Sequence, residues 1–209
     1  MNQNTAQLKE PSKIISGVEV DPFKAYKKYI SDLRAALDRI DEKELIQLVT
    51  LVRQAQETQR TVFIVGNGGS ASTASHWATD LGKGLHHRKD KGVKALSLSD
   101  NIAWISAAAN DISYDSVFSD QLRAHGTEGD LLIAISASGN SPNIIQAIEQ
   151  AKSMGIISLS IVGFDGGKAK ETSDFSVHIP TNHGKYGLAE DVQLILNHFL
   201  CDYLAGEIK

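Results

Sequence analysis

The stretch TVFIVGNGGSASTASHWATDL, residues 61–81, decides the fold. Its first five residues are apolar and mostly β-branched, without alternation, which is the pattern of a strand buried on both faces. Gly66-Asn67-Gly68-Gly69-Ser70 breaks the run, and a helical stretch over 71–83 follows. Residues 130–151, DLLIAISASGNSPNIIQAIEQA, repeat the order of strand, Gly/Ser turn and helix. Further apolar runs are VKALSLS (93–99), IISLSIVGF (156–164) and FSVHIP (175–180), with helical patterns at 102–109, 115–125, 141–154 and 188–205. Continuous apolar strands alternating with helices predict a parallel sheet covered on both faces. Such sheets bind ligands at the carboxyl ends of their strands, so both Gly/Ser turns open on one edge.

Upstream, Asp21-Pro22 reads as a helix start, with Asp as cap and Pro in the first turn. Phe23, Tyr26, Ile30, Leu33, Leu37 and Ile40 follow on one face. A second amphipathic helix begins near Asp41, carries Leu45, Leu48, Val49 and Val52, and ends before Thr61. Residues 1–20 read as an arm, and residues 21–209 as a single domain. The chain of 209 residues is 42% hydrophobic and 22% charged, a globular composition. Its net charge of -4 argues against a general nucleic-acid binder. The one cysteine, Cys201, excludes an internal disulfide and points to a reducing, cytoplasmic setting. No apolar run approaches the ~20 residues of a membrane span.

The turns suggest their own chemistry. Glycines 66, 68 and 69 let bare backbone N–H groups approach an anion, and the following helix adds its positive end. Ser136, Ser138 and Ser141 offer hydroxyl donors suited to a phosphate monoester. No Gly-Lys-Ser/Thr follows Gly69, which excludes a Walker loop. GNGGSA fits a dinucleotide fingerprint, but the strand that should end in an acid ~20 residues on is replaced by GLHHRKD.

VGNGGSASTASHWATDL, AISASGNSPNIIQAIEQA, ANDISYDSVF and GFDGGK together resemble the sugar isomerase (SIS) domain family, and within it the phosphoheptose isomerases. The resemblance runs from about residue 21 to the C-terminus. It implies an α/β/α sandwich around a five-stranded parallel sheet, preceded by two N-terminal helices. It also implies a homotetramer with active sites between subunits. The implied reaction converts sedoheptulose 7-phosphate to a D-glycero-D-manno-heptose 7-phosphate through an enediol, for nucleotide-heptose and surface-polysaccharide synthesis. Carried over by motif, Asn67, Gly68 and Ser70 line the sugar-phosphate site, Ser136, Ser138 and Ser141 hold the phosphate, and Asp111 meets sugar hydroxyls. Ala137 stands where the family commonly has Thr.

Isomerisation needs a base, an acid and a group that stabilises the enediolate. His76 and Asp80, four apart, share a helical face. By spacing alone such a pair reads as a surface or capping pair. The resemblance implies more, because phosphoheptose isomerases carry His-x-x-x-Glu there and Gln with His eight residues later in the last helix. On that pattern His76, Asp80, Glu190 and His198 form a zinc site, and Asp80, Glu190 and His198 are the catalytic acid–base groups. Asp80 replaces Glu, Glu190 replaces Gln, and Gly187 replaces a usual acid. These departures leave open whether Asp80 or Glu190 is the base, with Asp191 and Gln193 within reach. A non-catalytic SIS-fold sensor of sugar phosphate, or an adaptor of a replication initiator, is the competing expectation. His86 and His87 read as a solvated loop, Trp77 and Trp104 as core or interface fillers, and His178 as a hydrogen-bonded core histidine. His183 and Tyr186 read as a loop before the last helix that could close over a ligand.

Overall fold

The computed structural model describes residues 21–89 and 91–208, so the expected arm over 1–20 lies outside the described residues. Helices α1 (Pro22–Leu37) and α2 (Glu42–Glu57) come first. Each starts where the sequence places a cap: Asp21 accepts from the Phe23 amide at 2.9 Å, and Asp41 from those of Lys43 and Glu44 at 2.8 and 3.2 Å. Then follow β1 (Thr61–Gly66), α3 (Gly69–Thr79), a π-helical turn (Asp80–Gly84), α4 (Leu85–Lys89) and β2 (Lys94–Ser97). The second half runs α5 (Ile102–Asp111), a 3-10 turn (Tyr114–Ser116), α6 (Ser119–His125), β3 (Leu131–Ser136), α7 (Pro142–Ser153), β4 (Ile157–Val162), α8 (Gly167–Thr172), β5 (Phe175–His178) and α9 (Tyr186–Ala205).

The five strands form one sheet in the order β2-β1-β3-β4-β5, with every pairing parallel. The expected α/β/α sandwich is therefore what the chain folds into. Alternate residues of each strand feed opposite layers. Val62, Ile64, Ile133, Ile135, Leu159 and Ile161 face Leu48, Val52, Trp77, Leu81, Val192 and Leu196. Phe63, Val65, Leu132, Ala134 and Val162 face Phe118, Leu122, Ile144, Ala147 and Ile148. The strands read as unbroken apolar runs because both faces are covered.

Three local expectations need correcting. The helix expected over 71–83 leaves α geometry at Asp80 for a π turn. The stretch 115–125 divides into the 3-10 turn and α6. The apolar face of α1 is only half used: Leu33 and Leu37, with Ile40 just beyond, pack on the core, whereas Phe23, Tyr26 and Ile30 are exposed. No helix among the described residues is long and apolar enough to cross a membrane.

Candidate active site

From β1 the chain crosses to β2 on one side, while β3, β4 and β5 extend on the other. The strand order thus reverses between β1 and β3, and a crevice opens there beyond their carboxyl ends. It is a pocket of about 320 Å³ lined by Asn67, Gly68, Gly69, Ser70, Ile135, Ser136, Ala137, Ser138, Ser141, Tyr186 and Glu190. Six of the seven residues expected to bind substrate line it. Asp111 does not. It lies at the end of α5, exposed, in a separate recess with Asn101, Trp104 and Asp120.

Backbone geometry explains the two turns. Gly68, at φ 54° and ψ −120°, caps α3 without a side chain, and a Cβ there would meet no atom within 4 Å. The start of α3 is thereby left bare toward the pocket. In the second turn Ser136 Oγ accepts from the Gly139 amide at 3.0 Å, and Ser138 Oγ from the Asn140 amide at 3.3 Å. Ser141 caps α7 with its hydroxyl unused by the helix. The turns are joined by a reciprocal amide pair: Asn67 Nδ2 donates to Asn143 Oδ1 at 2.8 Å, and Asn143 Nδ2 donates back to Asn67 Oδ1 at 2.9 Å. Tyr114 adds its hydroxyl to Asn67 Oδ1 at 3.2 Å.

Glu190 enters from the opposite wall, one turn into α9. Its carboxylate lies over the first turn, and a Cβ on Gly69 would stand 2.7 Å from Oε1. Tyr186 lines the same wall and packs edge-on against Phe164, which also carries His183. His178 is a hydrogen-bonded half-buried histidine, as expected, with Nε2 2.9 Å from the Phe164 carbonyl and Nδ1 3.1 Å from Lys170 Nζ.

A second cluster forms where α3 meets α9. The buried Trp77 fixes that contact by donating from Nε1 to the Gln193 carbonyl at 3.1 Å. His76 Nε2 then lies 3.1 Å from Asp80 Oδ2 and 3.2 Å from His198 Nε2, and His198 Nε2 lies 3.8 Å from Asp80 Oδ2. The ligand atoms of these three residues all lie within 4.8 Å of one another. A tetrahedral zinc with bonds of about 2.0–2.1 Å spaces its ligand atoms about 3.3 Å apart. The trio fits such an ion in both spacing and donor type.

Glu190, expected as the fourth ligand, is not in that group. Eight residues of α-helix separate it from His198 by roughly 12 Å of axial rise. It was the family pattern, not the spacing, that grouped the two. The structure thus divides the expected constellation, with Glu190 at the pocket and His76 and Asp80, at the end of α3, meeting His198 farther along α9. Sequence reasoning missed Asn143, Tyr114 and Asn197. The last is fully buried and donates from Nδ2 to Asp80 Oδ2 at 2.7 Å. Asn143 and Tyr114 lie within quoted motifs, and that placement is the one signal that could have found them.

The profile of the SIS domain matches residues 25–163. A phosphoheptose isomerase of Helicobacter pylori is 39% identical over 189 residues, covering 90% of this chain and 95% of that protein. One from Clostridium acetobutylicum is 33% identical over 166 residues, covering 79% and 83%. The solved phosphoheptose isomerase of Neisseria gonorrhoeae superposes with a TM-score of 0.78 at 28% identity, over 90% of this chain and 97% of that one. With the switch-point crevice and its two Gly/Ser turns, these likenesses settle the family: the chain belongs to the SIS domain family, in the group of the phosphoheptose isomerases.

Proposed function

We propose that the protein is an aldose–ketose isomerase that interconverts sedoheptulose 7-phosphate and D-glycero-D-manno-heptose 7-phosphate through an enediol. The observation that carries this reading is the pocket, with phosphate donors on one wall and a carboxylate on the other. Ser136, Ser138 and Ser141 bind the phosphate together with the start of α7. The sugar chain then extends toward Asn67 and the Glu190 carboxylate. Glu190 is the base that moves the proton between adjacent carbons, and it fits this part better than Asp80, whose Oδ2 is already held by Asn197 and His76. The competing reading as a sugar-phosphate sensor or replication adaptor leaves a carboxylate over the pocket without a task.

Zinc is the ion we assign to His76, Asp80 and His198; when bound it supplies Lewis-acid charge. His198 keeps its place as the acid of the expected set, and Asp111 as a contact of sugar hydroxyls. Both need a second copy of the chain to reach a pocket, in keeping with a homotetramer whose sites lie between subunits. The exposed apolar side chains Phe23, Tyr26, Ile30 and Ile195 on α1 and α9 support such an assembly. The assignment is completed by a single domain over 21–209, a cytoplasmic setting and a place in nucleotide-heptose synthesis for surface polysaccharide.

The test is incubation of the purified protein with sedoheptulose 7-phosphate, with and without added zinc, followed by detection of the aldose phosphate. Turnover that Glu190→Ala abolishes supports the reading. Absence of turnover under both conditions overturns it.

A further inference from the structure

Asn67 reaches the pocket with most of its hydrogen-bonding capacity already committed. A side-chain amide has two acceptor positions on oxygen and two N–H donors. Asn67 Oδ1 accepts from Asn143 Nδ2 at 2.9 Å and from the Tyr114 hydroxyl at 3.2 Å, so both acceptor positions are filled. Asn67 Nδ2 spends one N–H on Asn143 Oδ1 at 2.8 Å. What remains is a single N–H, on a residue that lines the pocket.

We propose that this N–H is the donor to the sugar oxygen that becomes the enediolate oxyanion, and that Tyr114 and Asn143 are positioning residues that keep a donor there. The inference rests on the isomerase reading and deepens it. The phosphate has its own donors on the second turn, which leaves Asn67 to the carbon end of the ligand. A donor fixed in advance stabilises developing negative charge without reorganisation. A freely turning amide would present its oxygen part of the time and repel that charge.

The three partners differ in what they contribute. Asn143 is buried at 1% exposure near the start of α7, and it holds the plane of the Asn67 amide through two bonds. A reciprocal amide pair is equally satisfied when both groups turn over, so Asn143 alone does not select an orientation. The Tyr114 phenol, a better donor than acceptor, biases the pair toward the orientation that turns Oδ1 to it. Tyr114 comes from the segment between α5 and α6, so three separate motifs converge on one amide.

The test compares wild type with Tyr114→Phe, which removes one hydroxyl from an exposed side chain and leaves the core intact. With sedoheptulose 7-phosphate as substrate, kcat should fall roughly tenfold while KM stays unchanged, because the lost preference acts on the transition state. Asn67→Asp, which removes the donor, should lower kcat by about 100-fold or more. The Asn67 side-chain amide gives a second readout by ¹H–¹⁵N NMR, assigned through its loss in Asn67→Asp. In wild type, sedoheptulose 7-phosphate should shift one of its two protons downfield, and in Tyr114→Phe that shift should shrink. Tyr114→Phe matching wild type in kcat, KM and amide shift overturns the positioning role while leaving the isomerase reading intact. A shift without turnover overturns the isomerase reading and, with it, the enediolate role of the donor. No shift at Asn67 under saturating sugar phosphate overturns the inference itself.

Discussion

Asn197 and Asp80 are joined by a hydrogen bond of 2.7 Å from a fully buried amide to the carboxylate oxygen Oδ2 that also faces His76. The amide is itself oriented, because Asn197 Oδ1 accepts from Cys201 Sγ at 3.8 Å. Asp80, one methylene shorter than the Glu usual in the family, is thus held from behind by α9. Asn197→Leu keeps the branching at Cγ and removes the donor. Zinc affinity, measured by competition with a chromogenic chelator, should fall between about 10- and 100-fold, the range for partners that orient metal ligands. Unchanged affinity would remove Asp80 from the ligand set.

Tyr29 on α1 donates to Asp191 Oδ2 at 2.5 Å. That bond, then burial and the negative charges of Asp191 and Glu190, pushes the phenol up from 10.0 to about 12. A phenol that holds its proton more tightly when folded stabilises the fold fully below its unfolded pKa. The contribution is lost as pH rises through the folded one. The window is therefore pH 10.0 to about 12. An absorbance titration should show one of the five tyrosines ionising at the top of that window. Tyr29→Phe should lose that component and flatten the fall of stability across the window.

Two glycines of the first turn should respond differently to alanine. At Gly66 a Cβ would stand 2.3 Å from the Ser70 carbonyl oxygen, a backbone atom that cannot step aside. Gly66→Ala should cost about 1–3 kcal/mol in chemical denaturation. At Gly69 the obstacle is the flexible end of Glu190. Gly69→Ala should leave the melting temperature near wild type and lower turnover between about 10- and 100-fold by displacing the base. Equal effects of the two changes on stability would contradict this account of the turn.

Cys201 is buried, and that burial, with the charge of Asp80 behind it, pushes its thiol up to about 12. The thiolate is the reactive form. At neutral pH a thiol reagent should leave the native protein unmodified and label one site after denaturation. Rapid labelling of the folded protein would show that α9 opens at its C-terminal half.

The layers of the fold were legible because burial on both faces writes itself into a strand as an unbroken apolar run, as in Val62–Val65 and Leu131–Ile135. The pocket between the two turns was legible because glycine and serine are needed at the turns themselves. What escaped depends on pairings far apart in the chain: Asn67 with Asn143, and Asp80 with Asn197, where each partner reads as an ordinary helical residue. The π turn at Asp80 follows no local signal in its Asp-Leu-Gly-Lys-Gly sequence that we can name. Glu190 was grouped with His76, Asp80 and His198 on the family pattern, but within one chain its carboxylate lines the pocket, roughly 12 Å along α9 from His198.

The most direct measurement runs the reaction in deuterium oxide and locates the label in the product by NMR. A base that takes a proton from carbon and exchanges it with solvent before returning it leaves deuterium on the carbon next to the new carbonyl. The account expects aldose heptose 7-phosphate labelled at that one carbon, with label and product both lost in Glu190→Ala. Labelled product formed by Glu190→Ala at the wild-type rate would contradict it.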